Sequence, residues 1–143
     1  MRKKIMIVDD AAMMRFVVKK MLSKDPNLHL AGFASNGREA LDQLDAVQPD
    51  LILLDIEMPE MDGLEFLRHV RLKSRAKVVV LTSVAPKGSS KAMEARALGA
   101  DAVIQKPSGA VSYDLDRKRG SEIRRTIYEL LEIEDAGVVR KRR

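Results

Sequence analysis

The 143 residues suffice for one domain with a core of its own, and 45% hydrophobic against 33% charged content fits a globular chain surrounded by water. The absence of cysteine excludes disulfides and thiolate metal sites; with no apolar run near the length of a membrane span or a signal peptide, a cytoplasmic protein is expected. Four units of the +5 net charge come from the terminal Arg140, Lys141, Arg142 and Arg143, and 3% aromatics with no Trp leaves no stacking platform for single-stranded nucleic acid. Lys4-Ile5-Met6-Ile7-Val8 is an apolar run closed by Asp9 and Asp10, which predicts a first buried strand. Residues 12–24 carry apolar side chains at 13, 14, 16, 17, 18, 21 and 22, predicting a helix with a wide buried face, with Met13, Met14 and Met21 as core filling. Asp25-Pro26-Asn27 ends it, and residues 28–35 alternate through Gly32 as a strand nearer the sheet edge.

Asn36 with Glu39, and Asp62 with Glu65, have the spacing of helix caps, opening helices that bury Ala40, Leu41 and Leu44 and then Leu64, Phe66, Leu67 and Val70. Between them, Leu51-Ile52-Leu53-Leu54 reads as a strand buried on both faces that stops at Asp55, followed by a loop containing Glu57, Pro59 and Gly63. Residues 76–82 form another buried strand, ending in the Thr82 hydroxyl. Residues 91–98 read as a helix closed by Gly99, residues 101–105 as a fifth strand before Lys106-Pro107, and 108–117 as a loop. Ile123, Ile127, Leu130 and Leu131 give the last helix its apolar side. Strand and helix alternate five times at βαβ spacing, which predicts an α/β fold: a doubly wound five-stranded parallel sheet with helices on both faces, flavodoxin-like. The expected domain is 1–134, with 135–143 as a flexible basic tail that stays solvated or meets an acidic partner.

Parallel strands deliver their last residues to one edge of the sheet, here Asp9, Asp10, Asp55, Thr82 and Lys106. Three carboxylates gathered there repel unless a cation joins them, and a small all-oxygen site suits Mg²⁺. A hydroxyl and a lysine on the same edge supply a donor and a counter-charge for phosphoryl oxygens, and a carboxylate can serve as the nucleophile. Each residue also has a plain role: Asp10 as a helix cap, Thr82 as a β-branched strand residue, Lys106 as a solvated strand end. His29 and His69 have no partner at metal or triad spacing and read as surface or satisfied histidines, and Lys87-Gly88-Ser89-Ser90-Lys91 lacks the full phosphate-loop pattern.

The ordered set Asp9-Asp10, Asp55 with Met58-Pro59 and Met61-Asp62-Gly63, Thr82-Ser83 and Lys106-Pro107 resembles that of a two-component response-regulator receiver domain over about residues 3–133. The resemblance implies Asp55 as phosphoacceptor; Asp10, Asp55 and the Glu57 backbone carbonyl as Mg²⁺ ligands with Asp9 assisting; Thr82 and Lys106 meeting the phosphoryl group; and a cis Lys106–Pro107 bond. It implies a histidine kinase or histidine phosphotransferase as donor and a downstream protein as target; the sequence itself shows no helix-turn-helix and no apolar span, so neither a DNA-binding domain nor membrane attachment is expected, and a homodimer is left open. Ile104 stands where many receivers carry Tyr or Phe, so the response to phosphorylation is expected in the 83–90 loop and the helix after it. Glu57-Met58-Pro59 and Lys106-Pro107-Ser108-Gly109 look most like the receiver of a chemotaxis-type protein-glutamate methylesterase, here stand-alone. The alternatives are the regulatory fragment of such an enzyme, a Mg²⁺-dependent aspartyl-phosphate hydrolase (which would want Asp where Glu57 stands), and a receiver that takes no phosphate.

Overall fold

The computed structural model describes residues 2–58, 62–83, 89–105 and 113–134, with side chains in the last stretch from Glu122 on. Strands β1 (Lys3–Val8), β2 (Leu28–Ala34), β3 (Leu51–Asp55), β4 (Lys77–Thr82) and β5 (Ala102–Gln105) alternate with helices α1 (Ala12–Ser23), α2 (Gly37–Val47), α3 (Gly63–Lys73), α4 (Ser90–Ala97) and α5 (Tyr113–Leu131). All pairings are parallel, in the order β2-β1-β3-β4-β5. The chain winds outward from β1 in one direction to β2 and in the other through β3 to β5, so the winding reverses between β1 and β3. A crevice opens there at the carboxyl ends, where such sheets bind ligands.

The two faces of the sheet make two cores, and strand periodicity sorts the side chains between them. Met6, Val8, Ile52, Leu54, Val78, Val80 and Val103 point toward α2, α3 and α4. Ile5, Ile7, Leu51, Leu53, Val79, Leu81 and Ile104 point toward α1 and α5. β1, β3 and β4 are therefore covered on both sides, which is why their sequences are unbroken apolar runs rather than alternating ones.

Two helix starts are capped as their spacing predicts: Asn36 Oδ1 accepts from the Glu39 amide at 2.9 Å and Asp62 Oδ1 from the Glu65 amide at 3.0 Å. The Glu39 side chain accepts from the amide of Ser35, one residue before the cap. Ser89 caps α4, which accounts for part of the Lys87–Lys91 motif. Gly99, at φ 107°, ends that helix in the left-handed region.

Two expectations, and one alternative role weighed for Asp10, need correction. The buried face of α1 is narrow: Met14, Val18 and Leu22 are buried, while Met13 and Phe16 are 62% and 61% exposed, so Met13 is not core filling. α1 packs mainly on the edge strand β2, and no sheet lies beneath the positions beyond it. Asp10 does not cap α1, whose N-cap is Ala11 with no side-chain bond. Residues 113–117, expected in a loop, are the first turn of α5. The Lys106–Pro107 bond, Lys106 itself, residues 84–88 and the basic tail lie outside the described residues.

Candidate functional site

The β1 and β3 runs end at the winding reversal, and their terminal carboxylates meet there. One oxygen from each of Asp9, Asp10 and Asp55 lies within 4.8 Å of the others. Asp9 and Asp55 are buried and Asp10 is exposed, so the cluster opens on one side. At an effective dielectric of about 20, two such charges at this separation repel by about 3 kcal/mol, which a divalent cation would reverse. Carboxylate oxygens suit a hard ion of the Mg²⁺ type.

Both buried acids are oriented by the turn that follows them. Asp55 Oδ1 accepts from the Glu57 amide at 2.9 Å, and Asp9 Oδ1 accepts from the Ala11 amide at 2.8 Å. Each is an Asx-type turn in which the side chain bonds two residues ahead. Carboxylates at the other edge of the sheet do a plainer job. Asp50 and Asp101 accept the amides of Lys4 and Val78, where strands begin, at 2.7 and 2.8 Å.

Thr82 is fully buried at the end of β4, where Leu81 pairs with Asp55 and Thr82 with Gln105. The next residue ties the loops together. The Ser83 hydroxyl donates to Glu57 Oε1 at 2.8 Å, and Gln105 Nε2 donates to the Ser83 carbonyl at 3.5 Å. Glu57, read from sequence only through its backbone, thus also contributes a side-chain link between the β3–α3 and β4–α4 connections. Ile104 is buried with Ile123 and Ile127 on the α1/α5 face.

The close approach of α3 to the end of β3 explains Gly63. A Cβ on Gly63 would fall inside contact distance of the Ile56 Cα and 2.5 Å from the Asp55 carbonyl oxygen. Only glycine lets α3 start against the end of β3. Arg15, which the sequence reading passed over, donates from Nη1 to the Asp9 carbonyl at 2.9 Å. Nothing in sequence marks it among the cations of α1, because the contact depends on how α1 lies against β1.

A family model described as "Response regulator receiver domain" matches residues 5–112. The protein-glutamate methylesterase/protein-glutamine glutaminase of Treponema pallidum (strain Nichols) is 47% identical over 112 residues, 78% of this chain and 28% of that protein. The chain spans about a third of the length of the curated relatives it matches. The response regulator domain of Thermotoga maritima CheB superposes with a TM-score of 0.83 at 31% identity, covering 94% of this chain and 100% of that one. A chain from the crystal structure of the P1 domain of CheA3 in complex with CheY6 from R. sphaeroides gives 0.76 at 52% identity, covering 91% and 97%. With the fold, the reversal point and the family match in agreement, the chain belongs to the response regulator receiver domain family, the phosphoaccepting modules of two-component signalling.

Proposed function

We propose that Asp55 is the phosphoacceptor and that the acidic cluster binds Mg²⁺ for the transfer. The gathering of one oxygen from each of Asp9, Asp10 and Asp55 within 4.8 Å at the winding reversal carries this reading. Asp10, Asp55 and the Glu57 carbonyl are the proposed ligands, with Asp9 assisting. When bound, the ion neutralises charge on the phosphoryl oxygens. The chain's own work is positioning. The Glu57 amide fixes the Asp55 carboxylate plane, and one Asp55 oxygen forms the new O–P bond as the donor's N–P bond breaks. The Thr82 hydroxyl donates to the incoming group, and Lys106, the residue after Gln105, pairs with it.

The donor is a histidine kinase or histidine phosphotransferase, a reading supported by the 52% identity to a chain from a complex that holds a CheA3 P1 domain. Phosphorylation then changes binding to a downstream protein. A second reading, in which the chain regulates a methylesterase domain, is favoured by its 47% identity to the Treponema pallidum enzyme.

Intact mass after incubation with acetyl phosphate and Mg²⁺ tests the proposal. One phosphoryl group should be retained by the parent protein and none by Asp55→Asn. Labelling of the Asn variant would remove Asp55 from the role, and turnover without retention would favour the hydrolase.

A further inference from the structure

The main chain of Asp9 is held on both sides by neighbours in β2 and α1. Its amide donates to the Ala34 carbonyl at 3.0 Å and its carbonyl accepts from the Arg15 guanidinium at 2.9 Å. Arg15 in turn lies over the Phe33 ring, its guanidinium carbon 5.6 Å from the centroid, within reach of a cation–π contact. Phe33 immediately precedes Ala34, and its own carbonyl accepts from Gln43 Nε2 at 3.1 Å. Two consecutive β2 residues therefore close a ring of contacts around the Asp9 peptide, one through the backbone and one through Arg15.

Core packing does not account for Phe33, which is 57% exposed on an edge strand. Asp9, by contrast, is fully buried beside Asp55, in a cluster of three carboxylates that repel one another. A restraint on the Asp9 backbone is useful at that point. A guanidinium bonded to its carbonyl supplies both the restraint and a positive charge.

We propose that Arg15 is a positioning residue for the acidic site and that the exposed Phe33 ring holds it in place. The inference rests on reading the Asp9, Asp10 and Asp55 cluster as a cation site. Arg15 touches neither the ion nor the phosphoryl group; it fixes the strand end from which Asp9 projects. Phe33 acts only through Arg15. The aromatic face, rather than apolar bulk, is what matters at position 33.

The test uses the full chain with Phe33→Leu, Phe33→Tyr, Arg15→Met and the Arg15→Met/Phe33→Leu double variant, each checked for an unchanged thermal transition. Calorimetric Mg²⁺ titration should show affinity lowered about two- to fivefold in Phe33→Leu, the size of an exposed cation–π contact. Phe33→Tyr, which keeps the ring, should match the parent, and the double variant should be no weaker than Arg15→Met alone. Amide exchange on the metal-free proteins supplies an independent readout. The Ala11 amide, bonded to Asp9 Oδ1, should exchange faster in Phe33→Leu and Arg15→Met but not in Phe33→Tyr. Parent-like Ala11 exchange in Phe33→Leu, or losses that multiply in the double variant, would overturn the proposal. A parent protein that binds no Mg²⁺ but shows this exchange pattern would refute the cation-site reading and leave the clamp standing.

Discussion

Asp10 differs from the two carboxylates beside it in being exposed, and that difference fixes what its removal should do. Asp9 and Asp55 are buried in turns that orient them, so replacing either disturbs structure as well as charge. Asp10 has no cap role in α1 to lose. Asp10→Ala should weaken Mg²⁺ about tenfold or more through loss of one charged ligand. It should also raise the thermal midpoint of the metal-free protein by a few degrees, on the order of 1 kcal/mol of relieved repulsion after solvent screening. Titration calorimetry and metal-free melting, with chelator present, check the two halves separately; unchanged Mg²⁺ affinity would take Asp10 out of the site. The acids and Thr82 were legible in the sequence because a polar residue that ends an apolar run is visible without any knowledge of the fold. Arg15 and Phe33 were not, since what joins them is the way α1 lies against β2, and no local pattern records it.

Among elements, the strands were the most readable part of the chain. β1, β3 and β4 are covered on both faces, so they appear as continuous apolar runs whose ends fall within a residue or so of the observed ones. Helix faces were harder to read. Periodicity reports how many apolar positions a helix carries but not how far the sheet extends beneath them, which is why Met13 and Phe16 of α1 lie in solvent. The start of α5 was hidden for a different reason: Asp114, Asp116, Arg117, Lys118, Arg119 and Gly120 crowd its first turns, leaving no apolar stripe to find. The β3–α3 connection carries the element-scale prediction. Gly63→Ala puts a methyl group against the backbone of Asp55 and Ile56, and main chain cannot rotate aside as a side chain would. A loss of about 1–3 kcal/mol in urea unfolding is expected. Phosphoryl uptake should fall with it, because the turn that orients Asp55 through the Glu57 amide must shift. An alanine variant as stable and as reactive as the parent would mean that α3 can back away from the strand end.

At the scale of the molecule, the reactive edge of the sheet is matched at the opposite edge by a polar lock that closes the chain from end to end. Tyr128 in α5 donates its hydroxyl to Asp25 in the α1–β2 connection, at 2.7 Å to Oδ1, across 103 residues. Arg124 Nε donates to the other Asp25 oxygen at 2.8 Å, its guanidinium carbon lies 4.4 Å from the Tyr128 ring centroid, and Asn27 Nδ2 donates to the Tyr128 oxygen at 3.0 Å. Asp25 and Tyr128 are both buried, and the carboxylate gives the phenol's proton an acceptor away from water. The lock ties the later turns of α5 to the α1–β2 connection. Burial raises the Tyr128 phenol above its ordinary value, Asp25 adding to the effect and the Asn27 bond and Arg124 opposing it. The unfolded chain therefore releases this proton first. The stabilising contribution is complete below about pH 10 and drains away as pH climbs from there through the higher folded value. Tyr128→Phe should cost about 1.5–3 kcal/mol at pH 7, the scale of a hydrogen bond to a charged group. The gap between parent and variant should then narrow above pH 10, because only the parent loses this contribution there. Paired urea titrations at pH 7 and pH 11 measure that gap directly, other alkaline effects being common to both proteins. A gap that stays constant or widens would mean that the phenol ionises as readily in the folded chain as in the unfolded one, and that the lock depends on packing of the ring rather than on its proton.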